Sequence, residues 1–185
     1  MQLVLGGQPV DLRARVLVAG VVPAPRFGRE GEVLATAATV RAAGADLADV
    51  SLPPRLSGPV ARSGDTPVSV LARTPEEAQT ARQSGAQLIL VPPGVLPLVE
   101  SDAGSVGVVV DDLAELPAAR ELACGRGLAL AVDVTRWSGP DAVGREAAAV
   151  ALGCRVIRTG DVRRSRRVAE VMAALLAARR DEEEA

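Results

Sequence analysis

No histidine, lysine, asparagine or tyrosine occurs in the 185 residues, and phenylalanine and tryptophan occur once each. Without histidine the chain lacks the commonest general base, without lysine it lacks a Schiff-base amine, and without asparagine it lacks the shorter of the two amide side chains. The two cysteines, Cys124 and Cys154, sit at helix-end positions with no metal-ligand spacing and no histidine to join them. They read as buried, reduced thiols of a cytoplasmic protein, and no metal site or cofactor is expected. All 21 basic residues are arginine. Asparagine, lysine and tyrosine share AT-rich codons, which explains arginine replacing lysine on a surface but not the loss of a residue that catalysis requires. No apolar run reaches the ~18 residues of a membrane span. Residues 16–22 are apolar enough for a short signal core, but Asp11 stands where a basic leader would be, so a cytoplasmic location is expected. A net charge of −2, with no arginine cluster interleaved with aromatics, speaks against a nucleic-acid partner.

What is present is a repeated junction. Three times a helix-like run ends in glycine and passes into an apolar strand: Gly44-Ala45-Asp46-Leu47, Gly85-Ala86-Gln87-Leu88 and Gly153-Cys154-Arg155-Val156. Continuous apolar runs at 16–22, 47–52, 68–72, 88–91, 106–110, 128–134 and 156–157 predict seven strands of a buried parallel sheet. Residues 1–12 alternate around Gly6-Gly7 and predict a hairpin. Helices are expected at 32–43, 74–84, 113–124, 141–152 and 162–180, the second with Thr74, Pro75 and Glu77 forming a capping box. On the last, Val168, Val171, Met172, Leu175 and Leu176 keep one face apolar. Between Pro53 and Thr66, Arg55-Leu56-Ser57-Gly58-Pro59 has no helical period, so one crossover helix reads as deleted, and another as stunted after Pro93. The acidic end, 181–185, reads as a frayed tail. The expected fold is one α/β domain over 1–185, a shortened TIM-type (β/α) barrel. Full barrels usually take about 250 residues.

The wording of these strands resembles dihydropteroate synthase, the pterin-binding barrel of folate biosynthesis. Gly44-Ala45-Asp46-Leu47-Ala48-Asp49-Val50 is similar to that family's G-A-D-I-I-D-V. Pro67-Val68-Ser69-Val70 before Thr74-Pro75-Glu76 resembles P-I-S-V-D-T-Y-K-P-E, and Arg155-Val156-Ile157-Arg158-Thr159-Gly160-Asp161-Val162 resembles R-I-V-R-V-H-D-V. The resemblance implies a site at the barrel mouth that has lost most of its polar groups. The pterin-reading aspartate falls on Leu71, the asparagine and aspartate of the next strand on Leu90 and Val91, the lysine of S-R-K-S on Trp137, and the histidine on Gly160. The first loop reads Pro23-Ala24-Pro25-Arg26-Phe27, without asparagine or acid, and the D-P-G-I-G-F strand has no counterpart. Arg158, Asp49, Arg136, Ser138 and Asp161 keep their types. Hydrogen bonds to charged groups contribute about 1.5–3 kcal/mol each, and a micromolar ligand has only about 8 kcal/mol of binding free energy. Losing several such contacts leaves little affinity for pterin.

The resemblance makes Arg158, with Arg136 and Ser138, a candidate anion site; the alternative is a salt bridge from Arg158 to Asp161 or Asp133. Asp49, Leu71, Leu90, Trp137 and Gly160 are expected at the pocket mouth, with Asp49 the more readily explained as a structural hydrogen-bond acceptor. Trp137 reads equally as a plug of the vacated pocket or as a contact anchor. Asp111-Asp112 reads as a helix cap rather than a metal pair. The expected function is that of a non-catalytic relative binding a protein partner or a small anion, as a homodimer or a heteromer with a related barrel. An active pterin-binding transferase and a purely structural assembly subunit are the alternatives.

Overall fold

The computed structural model describes residues 2–5, 7–23, 30–50, 54–63, 66–99 and 105–184. Strands β1 (Gln2–Leu5) and β2 (Gln8–Asp11) form the antiparallel hairpin, with Gly7 at φ 79° in its turn. Seven further strands follow in chain order: β3 (Leu17–Val21), β4 (Leu47–Asp49), β5 (Val68–Leu71), β6 (Leu88–Val91), β7 (Val106–Val110), β8 (Ala129–Asp133) and β9 (Val156–Thr159). Each pairs parallel with the next, and β9 returns to β3 with Leu17 opposite Val156, closing the barrel. The expected strand set is therefore present, each strand within a few residues of its predicted bounds. The part of the 47–52 run at 51–52 lies outside the described residues.

Side-chain alternation divides the apolar residues into two cores. One face of each strand packs outward against helices, as with Val18, Val68, Ile89, Val108, Leu130 and Ile157. The other fills the barrel with Leu17, Leu47, Leu88, Leu90, Val109 and Val156, and the hairpin places Leu3, Leu5 and Leu12 in that same cluster. The outward face at Gly20 shows how tightly the layers meet. A Cβ there would collide with Val40 and lie 2.7 Å from Val162 Cγ2, so glycine lets both flanking helices sit on β3.

The helices are α1 (Glu30–Ala42), α2 (Pro54–Ser63), α3 (Pro75–Gln83), α4 (Leu116–Arg126), α5 (Asp141–Ala151) and α6 (Val162–Glu184). Thr74 caps α3 as expected: Glu77 N donates to Thr74 Oγ1 at 3.2 Å, while Glu77 Oε2 accepts from Arg73 N at 2.7 Å. α2 corrects the sequence reading, since the segment expected to lack a helix is helical despite Pro59 inside it. Gly58 and Pro59 lower its propensity, but Val60 is buried in the outer core, and that tertiary burial decides. Positions 64–65 of the same segment lie outside the described residues. The thin place in the helix ring falls instead between β6 and β7, where the described residues hold one 3₁₀ turn, Leu96–Leu98. α6 continues past Arg180 to Glu184, beyond the expected start of a frayed tail. No helix among the described residues is long and apolar enough to cross a membrane.

Candidate functional site at the barrel mouth

The inward positions at the C-terminal ends of the strands are where barrel enzymes place their chemistry. Here they carry Asp49 (β4), Ser69 and Leu71 (β5), Leu90 (β6), Val109 (β7), Asp133 (β8) and Arg158 (β9). Asp133 and Arg158 are register partners on neighbouring strands. Asp49 lies two strands from Arg158, and the residue of β3 paired with Arg158 is the small Ala19, which leaves room for a guanidinium to pass over β3.

Arg158 uses that room. Its Nε donates to Asp49 Oδ1 at 3.0 Å and its guanidinium NH1 donates to Asp133 Oδ2 at 2.7 Å. Ser69 Oγ donates to Asp49 Oδ2 at 3.1 Å, and Asp133 Oδ1 accepts from Thr135 N at 3.0 Å and Thr135 Oγ1 at 2.7 Å. The result is a polar strap across one side of the mouth, running Ser69–Asp49–Arg158–Asp133–Thr135. The Arg158 side chain is 7% exposed and that of Asp49 0%. Burial alone would push the Arg158 guanidinium down, but the two carboxylates outweigh it and hold the group above its ordinary range.

This geometry corrects the expected anion site. Of the two salt-bridge partners considered from sequence, Asp133 is engaged, and Asp49 is a further one. Asp161 instead caps α6, its Oδ1 accepting from Arg164 N at 3.1 Å. One arginine between two aspartates leaves a local excess of negative charge, which disfavours an anion. Nor do the other candidates gather round Arg158. Arg136 is 82% exposed and stands 4.0 Å from Asp111 Oδ2. It lines a hollow of about 320 Å³ with Leu71, Val109 and Asp133, whose lining includes neither Arg158 nor Ser138. Ser138 and Gly160 are exposed.

Two expected mouth residues are packed into the cores rather than open to the hollow. Leu90 is fully buried in the barrel interior, where a Cβ on the facing Gly107 would lie 3.1 Å from Leu90 Cδ2. The leucine thus occupies volume that the glycine leaves open. Trp137 is neither plug nor exposed anchor: it belongs to the outer core, with Nε1 donating to the Asp111 carbonyl at 3.2 Å and Arg145 stacked 4.4 Å from its ring centre. Asp112 caps the turn after β7 as expected, accepting from Ala114 N at 3.0 Å. Among the described residues no group of acids, histidines and cysteines has metal-site geometry. The first loop at 24–27 lies outside the described residues.

Sequence reasoning missed two ionic centres. Asp46 accepts from Arg15, Arg166 and Val18 N, tying β3 and the start of β4 to α6. Glu146 is fully buried between α5 and α6, paired with Arg164 at 2.8 Å. Burial pushes its carboxyl up, against the pull of Ser165 and Arg164. Cys154 is buried, its thiol pushed up to about 12 by desolvation. Cys124, expected to be buried, is exposed on the last turn of α4.

By sequence, no protein-family model and no curated protein matches the chain. Solved structures do match in shape. A dihydropteroate synthase from Yersinia pestis aligns with a TM-score of 0.68 at 19% identity, covering 96% of this chain and 100% of that one. The enzyme from Thermus thermophilus in complex with 6HMPPP gives 0.65 at 23%, covering 95% and 100%. That from Stenotrophomonas maltophilia gives 0.67 at 16%, covering 94% and 97%. The chain thus has the pterin-binding barrel fold of the dihydropteroate synthases.

Proposed function

We propose that this chain is a non-catalytic, cytoplasmic member of the dihydropteroate synthase-like barrels that acts by binding a protein partner rather than by turning over pterin. The observation that carries the reading is the closed Asp49–Arg158–Asp133 bridge. The retained arginine that might have stabilised a leaving pyrophosphate spends its donors on two carboxylates. Around it, Leu71 and Leu90 stand where the resemblance implies polar readers. Charge stabilisation is the largest single contribution to most such reactions, and the arginine best placed to give it is already engaged by two carboxylates.

The partner surface we assign is the outer face of α5 and α6. The stripe expected on α6 is divided: Val168 is buried, whereas Val171 and Leu175 are 60% and 59% exposed. With Val143, Ala147 and Met172, Val171 borders a groove of about 400 Å³ rimmed by Arg163, Arg167 and Asp161. An apolar centre with both charge signs at its rim suits self-complementary pairing with a second copy or a related barrel.

Calorimetric titration with the pterin pyrophosphate substrate, together with an assay for pteroate formation from that substrate and p-aminobenzoate, tests the reading. The expected result is no binding heat at micromolar protein and no product. Turnover abolished by Arg158→Ala would make the chain an active transferase.

A further inference from the structure

The opposite end of the barrel carries a feature that the mouth does not explain. Around the N-terminal ends of β8 and β9 lies a cavity of about 650 Å³. Five arginines line it, Arg13, Arg120, Arg155, Arg179 and Arg180, and among the described residues no carboxylate does. Among the described residues no ion pair is formed by Arg13, Arg120, Arg155 or Arg180. Some arginines elsewhere do face an acid, as Arg158, Arg164, Arg166 and Arg15 show.

Like charges gathered round one hollow need a reason, and helix ends supply part of it. α4 and α5 both finish here, and Arg155 donates to the Val150 and Cys154 carbonyls at 3.1 and 2.8 Å. Each helix C-terminus is equivalent to roughly half a negative charge, so two of them do not balance four or more guanidinium groups. Arg13, Arg120 and Arg179 are exposed, while Arg155 and Arg180 are half-buried. Arg120 is laid across Gly153, whose φ is +113° and whose missing Cβ would sit 3.4 Å from Arg120 Cδ and Nε. Burial pushes the Arg155 guanidinium down, and the charges of Arg120 and Arg180 push it the same way. The cavity floor adds apolar surface from Leu12, Leu128 and Leu176.

We infer that this N-terminal cavity binds a small organic oligophosphate, its phosphoryl groups held by Arg13, Arg120, Arg155 and Arg180 and its organic part resting on the leucine floor. The volume falls within the ~300–1,000 Å³ of small-molecule sites and exceeds what a single phosphate fills. Guanidinium groups engage phosphoryl oxygens in bidentate pairs. The inference is independent of the reading of the mouth, which lies at the other end of the strands.

The cavity contains its own reporter. Cys124 is exposed and lines it, whereas Cys154 is buried. Labelling by the uncharged reagent N-ethylmaleimide, followed by mass spectrometry, therefore reads occupancy. Inorganic tripolyphosphate or ADP at about ten times its Kd is expected to slow Cys124 labelling about tenfold by mass action. Arg120→Gln and Arg180→Gln, neither of them a core residue, are each expected to weaken that protection about tenfold, the effect of losing one charged contact. Arg126→Gln, an equal charge change on α4 outside the cavity, is expected to leave it intact. Protection by ADP at lower concentration than by tripolyphosphate supports the leucine floor. Four results would overturn the inference: no protection, equal loss in Arg126→Gln, protection by inorganic phosphate as strong as by tripolyphosphate, or far tighter protection by a single-stranded oligonucleotide than by either small anion.

Discussion

Arg158 is held by what surrounds it more than by its own strand. It is nearly buried and bridges two carboxylates, so removing it takes their shared cation from both charges. Breaking a buried pair by deleting one partner costs about 3–5 kcal/mol. Arg158→Ala is expected to lose that much by urea unfolding, and adding Asp49→Asn to Arg158→Met to recover part of it; a loss below about 1 kcal/mol would mean that water already screens the strap. Glu146 makes the opposite kind of statement. Its folded carboxyl is raised, so the folded state holds the proton more tightly than the unfolded state. Its contribution to stability is therefore full at acid pH and is lost as pH rises through the folded value. The melting temperature of the native chain minus that of Glu146→Gln is expected to shrink from pH 4 to pH 7. A difference that grew would show that attraction to Arg164 outweighs burial.

Among the elements, the two glycines of β3 and α1 separate packing from propensity. Gly20→Ala drives a methyl into Val40 and Val162, and overpacking of that kind costs about 1–3 kcal/mol. Gly31→Ala, in α1 with open space around it, is expected to gain about 0.5–1 kcal/mol instead. Equilibrium unfolding of the two variants reads both signs. The strands were legible because a parallel sheet covered on both faces leaves unbroken apolar runs, and α3 because its cap is local chemistry. α2 was not, since Gly58 and Pro59 argue locally against a helix that packing of Val60 imposes from outside. The bridge from Arg158 to Asp133 was legible as one of two options on adjacent segments. The bond to Asp49 was not, because it depends on Ala19 being small beneath a side chain from the far end of the chain. The arginine cavity was hidden for a similar reason: its members come from separate segments, and each alone looks like ordinary surface charge.

At the scale of the whole molecule, the proposed pairing through α5 and α6 gives a mass to measure. Light scattering at tens of micromolar is expected to return twice the 19.0 kDa of the chain, and Val171→Glu with Leu175→Glu to return the single mass. A monomer in the native chain would leave a different protein as the occupant of that face.

The closure of β9 against β3 has a consequence for how the chain is made. Synthesis delivers β3 first of the barrel strands and β9 last, so until β9 emerges the ring exists only as an open arc. Its first strand then shows unpaired amides and carbonyls to the ribosome's surroundings, the arrangement that invites pairing with another chain. Until the final segment emerges, Asp49 and Asp133 flank a gap that Arg158 has yet to enter. The last strand therefore brings both the seam and its cation. A nascent chain stalled before β9 would carry six of the seven barrel strands and little of the stability.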